Sequence, residues 1–100
     1  MSAGKKRRSH RAEDVWRHIR ANHGACPEGI AEEIVRRVCE RTWSPPVEVG
    51  RGVGIVATNL VRHRMTEYDR LFEIDGLTRE EARLIVQPEV DAIIASWKSH

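Results

Sequence analysis

Twelve residues separate two helix-start signals in this chain, Thr66-x-x-Asp69 and Thr78-x-x-Glu81, each a threonine followed three positions later by a carboxylate. In such a pair the hydroxyl oxygen accepts from an unpaired amide of the first turn, and the carboxylate reaches back to the cap's own amide. The two signals commit the C-terminal half to short helices. One is expected over Glu67 to Glu73 and the next from Thr78 through Ala82, Leu84, Ile85 and Val86, with Asp75-Gly76 turning the chain between them.

Helical spacing also organises the first half. Ala12, Val15, Trp16, Ile19 and His23 share one face, with Glu13 and Asp14 in the first turn and Gly24 placed to stop the helix. A second helix is expected from Pro27, in the first-turn position proline favours, burying Ile30, Ala31, Ile34, Val35, Val38 and Cys39. Its opposite face, with Glu32, Glu33, Arg36, Arg37 and Glu40, should meet water. Trp43-Ser44-Pro45-Pro46 ends that helix, because the residue before a proline avoids the α region.

The segment from Val47 to Gly54 is expected to be a loop with at most a short extended piece, since Gly50, Gly52 and Gly54 weaken any strand. Helical spacing resumes near Val53 through Ile55, Val56, Leu60, Val61 and Met65. Near the C-terminus Val86, Val90, Ile93, Ile94 and Trp97 continue one apolar stripe across Pro88, which favours two helical pieces packing the same face. The fold class is therefore all-α: a single small domain of four to six short helices over residues 10–100, behind a disordered basic arm at residues 1–9.

Size and charge narrow the function classes. One hundred residues suffice for one core but not two, and 40% apolar with 32% charged residues is a globular composition. No apolar run approaches the roughly 20 residues a membrane span needs. The N-terminal charges lack the apolar region of a signal peptide, so a cytoplasmic location is expected, with Cys26 and Cys39 as reduced thiols. The net charge of +2 is unevenly spread, with +5 on residues 1–25 and −3 on the rest.

The stretch Arg62-His63, Thr66-x-Tyr68-Asp69-x-Leu71, then Arg79, Ala82-Arg83 and a terminal Trp97 resembles the pattern of DUF2293, an uncharacterised bacterial and fungal domain of unknown function. The likeness runs from residue 12 to residue 97, and Val49-Gly50-Arg51 looks like that family's loop. Leu60 stands where the family usually has a second histidine, three residues before His63. The resemblance implies a helical domain and no known activity.

Each chemistry-bearing cluster has two readings. His63, Tyr68 and Asp69 form either an acid–base constellation, a carboxylate fixing the imidazole tautomer, or a structural set in which Thr66 caps a helix and Asp69 pairs with Arg62 or an arginine of the next helix. Arg79 and Arg83, four apart, either clamp a phosphate or carboxylate or serve ion pairs with Glu80, Asp69 or Glu73. The Gly50-Arg51-Gly52-Val53-Gly54 segment lacks the Lys-Ser/Thr of a P-loop, and a contact to a nucleic-acid phosphate demands less. The spacing of His23, Cys26, Cys39 and His63 is not that of a zinc finger or ribbon, so neither metal nor cofactor is expected.

Clustered cations on a flexible segment attract polyanions, so the expectation is a non-enzymatic nucleic-acid-binding module with DNA or RNA as partner and no membrane. Its cationic residues would be Lys5, Lys6, Arg7, Arg8 and Arg11 of the arm, Arg17 and Arg20 of the first helix, and Arg51, Arg62 and Arg64. The runner-up is a protein-interaction module or homodimer that uses Trp43 and the Pro45-Pro46 loop.

Overall fold

The computed structural model describes residues 9–98 and places five helices and no strand among them: α1 (Ala12–Asn22), α2 (Glu28–Glu40), α3 (Val49–Met65), α4 (Tyr68–Leu71) and α5 (Arg79–Ala95). The all-α expectation holds. Helix α3 is the central element, packing against α1 and α2 on one side and α4 and α5 on the other. The stripes meet in one core in which Val15, Val38, Val61, Ala82 and Val90 are fully buried. The amide of Ala25 donates to the carbonyl of Trp97 at 2.9 Å, tying the α1–α2 turn to the end of α5.

Pro27 sits one position earlier than the spacing predicts, outside α2, with its carbonyl accepting the Ala31 amide at 2.9 Å. The water-facing side of α2 carries a charge network in which Glu33 holds Arg36 and also meets Arg37 Nε at 2.7 Å. After α2 the chain folds back on itself. Trp43 is only 3% exposed, and its indole N–H donates to the Val38 carbonyl at 3.2 Å, one of the helix-end acceptors left without an intrahelical donor. The expectation of Trp43 as a contact surface is thereby overturned.

The largest correction concerns the glycine segment. Helix α3 begins at Val49, four residues before the predicted start, so Gly50 and Gly52 lie in its first turn and no extended piece forms. Packing explains the override. A Cβ on Gly50 would approach His18 Cε1 to 2.9 Å, and one on Gly52 would lie 3.3 Å from Trp43 Cζ2, so both glycines are sites where neighbouring side chains press on the helix backbone. The helix tolerates their poor propensity, roughly 1 kcal/mol each relative to Ala, because a larger residue would displace those neighbours.

The two start signals have different outcomes. Thr78 and Glu81 form the full capping box, with the Glu81 amide donating to Thr78 Oγ1 at 3.1 Å and the Thr78 amide to Glu81 Oε1 at 2.8 Å. Thr66 and Asp69 do not. Thr66 Oγ1 donates to the Arg62 carbonyl at 2.6 Å and accepts from the Tyr68 amide at 3.1 Å, while Asp69 turns to His63. The helix there is shorter than expected, starting after Glu67 without a side-chain cap.

Helix α5 runs unbroken through Pro88, rather than as two pieces. The proline removes one amide from the ladder. The stripe of Ala82, Val86 and Val90 stays buried on both sides of it and holds the two halves in register. Leu84 and Ile85, which the spacing places in this helix, face outward at 74% and 56% exposure.

Candidate functional site

One face of α3 escapes the core. Arg51, Ile55, the Thr58-Asn59 pair and Arg62 recur every three or four residues, and with Gly54 they line an open groove of about 650 Å³ whose far wall includes Arg83 of α5. No carboxylate lines it. Among the described residues, none of the guanidinium groups of Arg51, Arg62 and Arg83 takes a hydrogen bond or an ion pair, and Arg62 Nε is buried without a partner. Arginine cannot shed its proton near neutrality. Three permanent cations thus share a concave surface without an internal anion, an arrangement suited to binding an external one. The expected ion pairs of Arg79 and Arg83 with Glu80, Asp69 or Glu73 do not form, because Arg83 is directed to the groove and Arg79 lies over the Phe72 ring at 5.9 Å.

The motif residues around Arg62 form its support. Tyr68 is buried, with the Arg62 guanidinium 5.6 Å from its ring centroid, the His63 ring edge-on at 5.0 Å and the Phe72 ring at 4.9 Å. Such a cation–ring contact restricts a long side chain. Thr66 fixes the last turn of α3 through the Arg62 carbonyl. Asp69 Oδ1 lies 2.8 Å from His63 Nδ1, which corrects the expected pairing of Asp69 with Arg62. The pair is a carboxylate-oriented imidazole, but both side chains are well exposed, at 43% and 63%, and neither lines the groove.

The other residues predicted from the sequence are dispersed. Lys5, Lys6, Arg7 and Arg8 lie outside the described residues. Arg11 pairs with Glu13 at 3.7 Å, Arg17 with Asp14 at 3.1 Å, and Arg20 lies over the Trp16 ring at 4.9 Å, all on or beside α1. Arg64 is drawn to Glu33 at 3.7 Å. Trp97 is a core residue. Hydrogen bonding to Arg37 holds the Glu33 carboxyl below its ordinary range, so that network stays charged.

Among the described residues no cluster of histidine, cysteine and carboxylate groups has a metal-binding arrangement. Cys26 and Cys39 are unpaired thiols, and burial, with Glu28 adding to it, pushes Cys26 up to about 11. A thiol held protonated is a weak nucleophile.

Sequence reasoning put Arg51 and Arg62 on one cationic surface but read Arg83 apart from them, as a neighbour of Arg79, and so missed the groove that joins the three. Thr58 and Asn59 were overlooked, although they follow Arg51 at seven and eight residues and so share its face. Reading Gly50 to Gly54 as a loop removed that helical phase. No curated protein and no solved structure gives a significant match to the chain. The sequence profile of the family described as an uncharacterized conserved protein, DUF2293, matches residues 18–98, which include the whole groove and its supports, and the chain belongs to that family.

Proposed function

We propose that this chain is a non-enzymatic nucleic-acid-binding module whose folded contact surface is the α3–α5 groove. The carrying observation is the convergence of Arg51, Arg62 and Arg83 on a surface with no lining carboxylate and no internal anion for them among the described residues. Backbone phosphates supply repeated acceptors for such guanidinium groups. Lys5, Lys6, Arg7, Arg8 and Arg11 would add sequence-independent contacts from the arm, and a cytoplasmic setting goes with that role and with two free thiols.

Fluorescence anisotropy against a labelled duplex at several salt concentrations tests this. Replacing Arg51, Arg62 and Arg83 together by Gln should flatten the slope of log affinity on log salt by about 2.7, at about 0.9 per phosphate contact. Removing residues 1–8 should flatten it by about 3.6, for four cations. Absence of salt-dependent binding to DNA or RNA at micromolar protein would defeat the proposal. The second reading, a homodimer, then gains weight from the adjacent exposed side chains Leu84 and Ile85 on α5, and sedimentation at several concentrations tests it.

A further inference from the structure

The groove is one half of a larger feature. Ile55 and Asn59 line it and also line a second, smaller hollow of about 170 Å³, whose outer residues are Arg37 and Arg41 of the α2 end. The exposed ridge of α3 therefore carries an apolar side chain and an amide along its crest, with Arg51, Arg62 and Arg83 on one flank and, on the other, Arg41 and Arg37, the latter already ion-paired with Glu33 at 2.7 Å. Arg41 is held in place over the Trp43 ring at 4.1 Å.

We infer that this ridge reads A·T base pairs in the major groove of duplex DNA, a proposal that rests on the nucleic-acid reading above. Cations on both sides of a helix suit the two phosphate strands that border a groove, and the crest between them then faces base edges. Asn is the side chain whose amide matches adenine N6 and N7, so Asn59 carries the base reading. Single strands are disfavoured because no aromatic residue lines either hollow to stack a base. Duplex RNA is disfavoured because its major groove is too narrow for side chains to read.

Gly54 supplies an independent observation. It sits inside α3 and lines the groove, yet a Cβ there would meet nothing within 4 Å, so packing gives no reason for glycine. A helix-interior glycine that the fold does not need, on the flank where a phosphate strand would run, lets that backbone approach closely.

The test measures anisotropy of the full chain with an A·T-containing duplex, a G·C-only duplex, duplex RNA and single-stranded DNA. The A·T duplex should bind about tenfold tighter than the G·C duplex, and Asn59→Ala should erase that ratio while leaving G·C affinity within about twofold. Arg83→Ala should weaken both duplexes alike. Gly54→Ala should raise the melting temperature yet weaken duplex binding severalfold. Substituting deaza-adenine, which removes only the major-groove N7 acceptor, should abolish the preference. Equal binding of the two duplexes by the unaltered chain, a preference that survives deaza-adenine, or duplex RNA bound as tightly as DNA would each overturn base reading and leave phosphate binding intact. Failure to bind any of the four probes overturns both proposals.

Discussion

The Arg62 guanidinium lies 5.6 Å from the centroid of the buried Tyr68 ring, so a core residue aims a groove cation. Removing the ring should act on both stability and binding, whereas removing only its hydroxyl should spare the contact. Tyr68→Ala is expected to cost about 3 to 5 kcal/mol in a denaturant titration, the range for emptying a buried aromatic site. Tyr68→Phe should keep duplex affinity within about twofold, since a cation of this kind is worth only about 0.5 to 1 kcal/mol to either ring. A large affinity loss in Tyr68→Phe with stability unchanged would assign the hydroxyl a direct role.

Asp69 has an exposed partner, and that sets a small magnitude. Both members of the His63–Asp69 pair are substantially solvated, so Asp69→Ala should cost less than about 1 kcal/mol by denaturant titration. A buried carboxylate stranding a buried arginine would cost about 1 to 3 kcal/mol, and a loss of that size would contradict the exposed geometry.

Three glycines on one helix should respond with opposite signs. Gly52→Ala places a Cβ 3.3 Å from Trp43 Cζ2 in a fully packed region, and Gly50→Ala one 2.9 Å from His18 Cε1, so both should lower the melting temperature. Gly54→Ala meets open space and should stabilise by about 0.5 to 1 kcal/mol through helix propensity alone. Thermal denaturation of the three variants under one buffer condition checks the ordering.

The Thr78 cap gives a local test of α5. Its hydroxyl satisfies the Glu81 amide and the Glu81 carboxylate satisfies the cap's own amide, so Thr78→Ala should cost about 0.5 to 2 kcal/mol and Thr78→Ser much less. Chemical denaturation of the two variants measures the difference.

Acid sensitivity should trace to His23. Burial first, then the neighbouring charges of His18 and Lys98, hold its imidazole below the ordinary value of 6.5. The unfolded chain restores the ordinary value and so binds more protons than the folded one in the window below 6.5. Unfolding free energy should therefore fall as pH drops through 6.5, levelling once pH is under the folded value. In His23→Gln that part of the dependence should vanish, measured as the difference between the two proteins' stability curves against pH.

The sequence by itself determined the elements that depend on neighbours a few residues away. The Thr78–Glu81 box is complete within one turn, and the stripes of α1 and α2 follow from helical spacing, so both were legible without a partner in view. The start of α3 was not. His18 and Trp43 come from other parts of the chain, and only their contact with Gly50 and Gly52 shows why a glycine-rich segment is helical. Asp69 likewise had two acceptable partners by spacing, and the turn after α3 decided for His63. The groove belongs wholly to the tertiary structure: Arg51 and Arg62 lie on one face only when α3 begins at Val49, and Arg83 joins them only when α5 packs against it. Local hydrogen bonding can specify a helix, but convergence of like charges from two helices is set by packing, because nothing in their own sequence neighbourhood favours it.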